Sequence, residues 1–424
     1  MLEEVSGRLK RELVHPDRSE WIGGIRFSSD GGRIVAGSDP EGGIQVWDVG
    51  SGRPLAKIES GHETRWTEEF FHISPDWSTV YVSREKRIPH KIERDGMKMT
   101  RWEYEGDIRA WDLATGELRN VYRQSPMRGI GWTTLSPDGQ TMMVGERLPG
   151  ETEGREKLAV SLLDLQTGKF RELPGSLSMV GAFSSDSRLL AVSESDVEMY
   201  NPAIKIFDVE SAGVRQTLPI LEQPAETGRE VMSPDGQLLV FMQHVYPDRG
   251  NRRKNRGTLK FISINSGSEF ASFAFDEKDE FGGAGLFSPD GKTLSVGGWR
   301  GGQSLVLLFD VAGRKLAHTI VLREVTAFMR PKLFSPDGRW LAVGTLFVPE
   351  ELRRDPDLPA EEIEQPRIHL VEVATGKIRE TLISPQTYCT SGCFSPDGKT
   401  LATSGNGRVL LWDLSDLAGD GSVK

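Results

Sequence analysis

The chain has 424 residues, 37% of them hydrophobic, and a formal charge of −10. No apolar run approaches the ~18 residues that cross a bilayer as a helix, and the acidic balance speaks against a nucleic-acid binder, which usually presents a basic face. The N-terminal MLEEVSGRLKREL lacks the apolar centre of a secretory leader, so a cytoplasmic location is the expectation.

Taken from the N-terminus, the first element is SGRLKREL (Ser6 to Leu13), which copies TGKIRETL (Thr375 to Leu382) far along the chain. Eight segments of a second kind follow: FSSDGGRIVAG from Phe27, ISPDWSTVYVS from Ile73, LSPDGQTMMVG from Leu135, FSSDSRLLAVS from Phe183, MSPDGQLLVFM from Met232, FSPDGKTLSVGG from Phe287, FSPDGRWLAVGT from Phe334 and FSPDGKTLATSG from Phe394. Each reads as a strand end, a tight turn and an aliphatic strand, because Pro presets φ and Asp-Gly supplies the left-handed position of a hairpin. After each comes a third strand with alternating faces, such as IQVWDVGSGR from Ile44 or IHLVEVATGK from Ile368, and then a Gly-containing turn into a fourth. One repeat is thus a four-stranded antiparallel meander. Helical periodicity is missing throughout, so the expected fold is all-β: a single closed β-propeller of eight four-stranded blades.

The last repeat lacks its fourth strand, because after VLLWDLSDL the sequence runs out in LAGDGSVK. The copy at the N-terminus fills that gap: residues 1–14 are expected to supply the outer strand of blade eight beside Val409 to Leu414. The blades are expected at approximately 15–60, 61–123, 124–173, 174–219, 220–275, 276–322, 323–383 and 384–417, with a tail over 418–424.

The intact pairs Trp47-Asp48, Trp111-Asp112 and Trp412-Asp413, the relaxed Phe207-Asp208 and the Gly61-His62 dipeptide resemble the WD-repeat β-propeller family over essentially the whole chain. The repeats are divergent and bacterial in style, and their SPDG turns are also similar to those of Tol-type propellers. Most blades lack the family's His, so its buried hydrogen-bond tetrad is not expected here. The resemblance implies a platform that binds a protein or peptide.

Turns alternate between the two ends of a meander. The SPDG and Thr-Gly turns therefore share one side, and the connections between second and third strands share the other. Long insertions fall only in the latter: Arg84 to Asp107, Glu146 to Lys157, Gln243 to Gly257 and Leu346 to Pro366. Long loops on a rigid scaffold are the usual seat of recognition. The first insertion has Asp95-Gly96 at its middle and reads either as a projecting β-ribbon or as a solvated connection. The third holds Arg249, Arg252, Arg253, Lys254 and Arg256, a cluster that either contacts an anion or forms a solvated tip. Aromatic and arginine side chains are what interface centres favour. The candidate partner-binding residues are Trp66, Trp102, Tyr104, Arg128, Trp132, Arg229, Tyr246, Phe281, Trp299, Arg330 and Tyr388, with filling of the channel mouth as the competing role for the ring aromatics.

No HExxH, GxxxxGK[ST], GxSxG or CxxC pattern is present. Cys389 and Cys393, four apart on one strand and so roughly 13 Å apart, read as core residues rather than a disulfide. His72 reads as a satisfied structural histidine, and the repeated aspartates of the SPDG turns read as caps for local backbone amides. A non-catalytic, monomeric scaffold for a protein or peptide follows, with no cofactor, metal, nucleic acid or membrane. The alternative is a small-molecule or metal-binding propeller, a hydrolase among them, with Glu68, Glu69, Glu226 and Glu230 as the candidate carboxylates at the channel mouth.

Overall fold

The computed structural model describes residues 8–16, 21–39, 43–59, 71–94, 97–124, 128–148, 157–194, 203–220, 225–227, 230–245, 256–275, 279–281, 285–300, 303–322, 332–347, 365–386, 389 and 391–418. Its strands form eight antiparallel sheets, the blades of an eight-bladed β-propeller. In chain order, β1 (Leu9–Val14) precedes the first blade, which is β2 (Trp21–Phe27), β3 (Arg33–Asp39), β4 (Gly43–Asp48) and β5 (Pro54–Glu59). The second is β6 (Phe71–Ile73), β7 (Thr79–Arg94), β8 (Met97–Asp112) and β9 (Leu118–Tyr122). The third is β10 (Gly129–Leu135), β11 (Thr141–Leu148), β12 (Lys157–Asp164) and β13 (Phe170–Glu172), and the fourth is β14 (Leu177–Phe183), β15 (Leu189–Glu194), β16 (Ala203–Asp208) and β17 (Val214–Pro219). The fifth holds β18 (Ala225–Thr227), β19 (Val231–Met232), β20 (Leu238–Val245), β21 (Arg256–Ser263) and β22 (Glu269–Ala274). The sixth holds β23 (Asp279–Phe281), β24 (Leu286–Phe287), β25 (Thr293–Arg300), β26 (Gln303–Asp310) and β27 (Lys315–Leu322). The seventh is β28 (Lys332–Phe334), β29 (Trp340–Phe347), β30 (Gln365–Glu372) and β31 (Lys377–Ile383); the eighth is β32 (Ser391–Phe394), β33 (Thr400–Gly405) and β34 (Arg408–Asp413).

Two compact units are distinguished: Met1–Gly61 with Ala114–Gly116 and Gly285–Lys424, and His62–Leu113 with Glu117–Ala284. In the first unit β1 completes the eighth blade, as the N-terminal copy predicts. It pairs antiparallel with β34, from Leu9 opposite Trp412 to Val14 opposite Arg408. Strand alternation then divides the side chains. Leu13, Val409 and Leu411 pack with Ile22, Ile25 and Trp47 of the first blade, while Leu9, Leu410 and Trp412 pack with Trp340, Leu370 and Leu382 of the seventh. Polar contacts knit the same three blades. Arg8 bonds Glu380 on β31 and also Asp416 (2.5 and 2.9 Å), and Arg11 donates to the carbonyls of Gly50 and Ser51 (2.8 and 2.6 Å). In the second unit the equivalent layers join Tyr81, Ile108 and Tyr122 to Ile130 and Met142, Leu162 to Leu190 and Phe207, and Ile204 to Leu239 and Phe241.

Every blade carries the same turn network. In the first, Ser28 Oγ donates to Asp30 Oδ1 (2.5 Å), the Gly32 amide donates to the same carboxylate (2.9 Å), and the Arg33 amide donates to Ser28 Oγ (2.8 Å). The pattern recurs at Asp76, Asp138, Asp186, Asp235, Asp290, Asp337 and Asp397. These aspartates cap backbone amides, as their sequence setting predicts. The network is strong enough to hold Trp77 and Ser187 at φ of 59° and 62°, where other blades place Gly.

Each such turn also accepts a bond from the residue just past the third strand, from Val49 N to Gly32 O (2.9 Å) in blade one to Leu414 N to Lys399 O (2.8 Å) in blade eight. The two turn types therefore share one end of every blade. Successive turns also touch within each unit: a Cβ on Gly139 would lie 2.4 Å from Pro75 Cδ, and one on Gly31 would lie 3.6 Å from Pro396 Cδ. The second strands accordingly end, and the third strands begin, at the opposite edge of each blade.

The turns set a pH dependence. The Ser hydroxyl, and after it the backbone amide, holds the carboxyls of Asp30, Asp76 and Asp186 below their ordinary 3.8, and Ser288 does the same for Asp290. A depressed folded-state value adds stability that is fully present above the unfolded value and is lost as pH falls through the folded one. Stability should therefore be flat above pH ~5 and decline below ~4. Urea midpoints measured from pH 6 to pH 2.5 test this, and the Ser28→Ala chain should show a shallower acid decline than the parent; equal slopes would reject the assignment.

Candidate interaction surface

In the second unit the insertion 84–107 is a two-stranded ribbon. The pairing of β7 with β8 runs unbroken from Thr79 opposite Asp112 to Arg94 opposite Met97, while β6 reaches only Phe71 opposite Val82 and β9 only Ile108 opposite Tyr122. Its outer half thus extends past the blade, which decides between the two readings of this segment in favour of the ribbon. A lone two-stranded ribbon is marginal in water, so its root must be held.

The root is held by close packing and buried charge. A Cβ on Gly106 would meet Arg128 O at 2.6 Å and Ile130 Cγ1 at 2.7 Å, and one on Gly129 would meet Tyr104 Cβ at 2.9 Å and Glu85 Oε2 at 2.7 Å. Both glycines are there for close approach between β8 and β10. Glu85, 4% exposed, accepts from Arg87 Nε (2.9 Å) and from Arg147 Nη1 of the third blade (2.8 and 2.7 Å). Beside it, Glu146 accepts from Ser161 Oγ (2.7 Å) and Arg128 Nη1 (3.1 Å), and Arg128 also reaches Glu172 (2.7 Å). Burial pushes the Glu146 carboxyl above its ordinary 4.5, against the opposite pull of Ser161 and Arg128.

The candidate residues fall into three groups. Trp102 lies on the ribbon opposite Pro89 and is half-buried, and Trp299 on β25, opposite Ser304, is also half-buried. Three others are inward: Tyr104 is 1% exposed because its ring fills the space over Gly129, which removes it from the surface, Arg128 is committed to its two carboxylates, and Trp132 packs on the layer between the third and fourth blades. Trp66, Arg229, Tyr246, Arg330 and Tyr388 lie outside the described residues, as does the side chain of Phe281.

Of the carboxylates considered for a catalytic channel, Glu230 is 4% exposed and accepts from Ser193 Oγ. Glu68, Glu69 and the Glu226 side chain lie outside the described residues. His72 Nε2 faces Thr133 Oγ1 and O (3.0 and 3.1 Å), a structural role as expected. Cys389 and Cys393 are free, with burial pushing both thiols up to about 12. Among the described residues no group of three or more His, Cys, Asp or Glu is placed to hold a metal, and no helix is long and apolar enough to cross a membrane.

Sequence reading passed over Glu85, Arg147 and Glu146. A signal for Glu85 existed, since it shares strand parity with the inward Tyr81. Nothing local marked Arg147 as its partner, because the two are brought together only by packing of adjacent blades.

Residues 376–413 match the family model described as WD domain, G-beta repeat. No curated protein matches the chain. The matched stretch covers β31 and then β32, β33 and β34, that is, the outer strand of one blade and the three inner strands of the next. The same one-strand offset appears at the N-terminus, where β1 is an outer strand that precedes the first blade.

Proposed function

The chain belongs to the WD-repeat β-propeller family, and from that premise we propose that it is a non-catalytic scaffold which captures a protein or peptide partner through the edge that carries its long insertions. In this reading it acts as a monomeric propeller over residues 1–424, independently of nucleic acid or a membrane. The supporting observation is the β7–β8 ribbon, whose root is fixed by Glu85, Gly106 and Gly129 while Trp102 and Pro89 share one face farther out. A projecting element that is already ordered loses little conformational entropy on binding. Trp102 is the proposed anchor of the second unit and Trp299 that of the first, with Trp66, Arg229, Tyr246, Phe281, Arg330 and Tyr388 kept as further proposed contacts.

Affinity capture from a lysate of the source cells, comparing the parent with Trp102→Ala and with a chain in which residues 88–103 are replaced by a two-residue turn, tests this. Trp102→Ala should weaken a retained partner by about 30-fold, the effect of a ~2 kcal/mol anchor, with the melting temperature unchanged. Identical capture by all three chains would remove the ribbon from the proposal.

A further inference from the structure

A second charged group sits at the ribbon root. On the blade face opposite to Tyr104, Ile108 and Tyr122, three arginines surround one aspartate. Arg84 is the direct cross-strand partner of Asp107, Arg109 follows two residues later on the same strand, and Arg123 lies one residue past Tyr122, which pairs with Ile108. Arg109 Nε and Arg123 Nη2 each stand 3.2 Å from an Asp107 oxygen, and Arg84 Nε stands 3.8 Å away.

One carboxylate needs one guanidinium. Three arginines against one aspartate leave two positive charges in excess, on a molecule whose formal charge is −10. The neighbouring ion-pair groups lie nearer to balance: two arginines on Glu85, and two carboxylates on Arg128. Next to the root on the same face Lys86 stands opposite Glu105, and His90 bonds Glu103 (2.8 Å), so these neighbours each have a carboxylate.

Each guanidinium spends one nitrogen on Asp107, and its other nitrogens bond no described residue. The side chains of Arg84 and Arg109 are 26% and 22% exposed, and that of Arg123 is 58% exposed, so the cluster is cradled yet open. Clustered guanidiniums with spare N–H pairs at fixed spacing match the tetrahedral oxygens of a phosphoryl group, whose charge of about −1.5 to −2 equals the excess.

We propose that Arg84, Arg109 and Arg123 form an oxyanion site that binds a dianionic phosphoryl group. On the scaffold reading, that group is carried by the partner that docks on the ribbon. Asp107 spaces the three guanidiniums in the empty state and competes with the ligand for them.

Isothermal titration of the full chain at constant ionic strength tests the site, with inorganic phosphate, N-acetyl-phosphoserine amide and chloride as titrants. Both phosphoryl compounds should bind and chloride should not. Arg123→Gln, an exposed position, should weaken phosphoryl binding about 10-fold without altering the melting temperature, and Asp107→Asn should tighten it. Tighter binding of the phosphoserine amide than of inorganic phosphate identifies a partner-borne group, and the reverse order identifies the free ion as ligand. No phosphoryl binding, or binding equal in the parent and Arg123→Gln, overturns the proposal. That failure leaves capture through Trp102 untouched, and loss of capture with phosphoryl binding intact would reject only the scaffold.

Discussion

Deletion of residues 1–14 is expected to give a protein that aggregates or melts far below the parent. Burial of Leu9 and Leu13 together contributes roughly 3–6 kcal/mol, an upper figure for two aliphatic side chains. Their removal also uncovers Val409 and Leu411, bares the outer edge of β34 and releases Arg8 from Glu380 and Asp416. A gentler form of the experiment is Leu13→Ala, at a side chain 2% exposed, which should cost about 2–5 kcal/mol in urea denaturation. Val14, on the same strand and 52% exposed, is the control, and Val14→Ser should stay within ~0.5 kcal/mol of the parent. Equal midpoints for Leu13→Ala and Val14→Ser would show that β1 does not hold its blade together.

Glu85→Ala should be the most damaging single change in the ribbon. The carboxylate is sealed between two blades and accepts from both Arg87 and Arg147, so removing it breaks a buried charge network at a cost of about 3–5 kcal/mol. Glu85→Gln keeps the shape and should cost less. The double variant Glu85→Ala with Arg147→Ala should fall short of the summed single effects, since the two side chains share the interaction that each single change removes. Urea midpoints check all three, and limited proteolysis should show faster cutting between residues 88 and 101 in Glu85→Ala alone. If Glu85→Ala were no worse than Glu103→Ala at the exposed Glu103, the buried pair would not be what fixes the ribbon.

The divergent site residues show where sequence reasoning stops. Trp102 and Tyr104 are two apart on one strand and equally aromatic, and from the sequence they were interchangeable anchors. Only the approach of Gly129 separates them, by drawing Tyr104 inside while Trp102 stays partly out. Arg128 is by its type a contact residue, yet Glu146 and Glu172, reached through the fold, claim it. The arginines around Asp107 share no local pattern, because Arg84 comes from β7, Arg109 from β8 and Arg123 from the residue after β9.

Local chemistry written eight times was enough, by itself, to determine the blade. A Ser and an Asp two residues apart close the same turn wherever they occur, and strand alternation assigns the faces. The duplicated TGKIRETL pattern at the N-terminus likewise implied the pairing of β1 with β34, because a repeat offset by one strand leaves one strand missing at one end and supplies it at the other. Which charges meet, which aromatic is covered and where positive charge accumulates were decided by the tertiary structure. Those outcomes depend on distances between blades, and such distances are set by the packing of side chains remote in sequence, which no single repeat encodes.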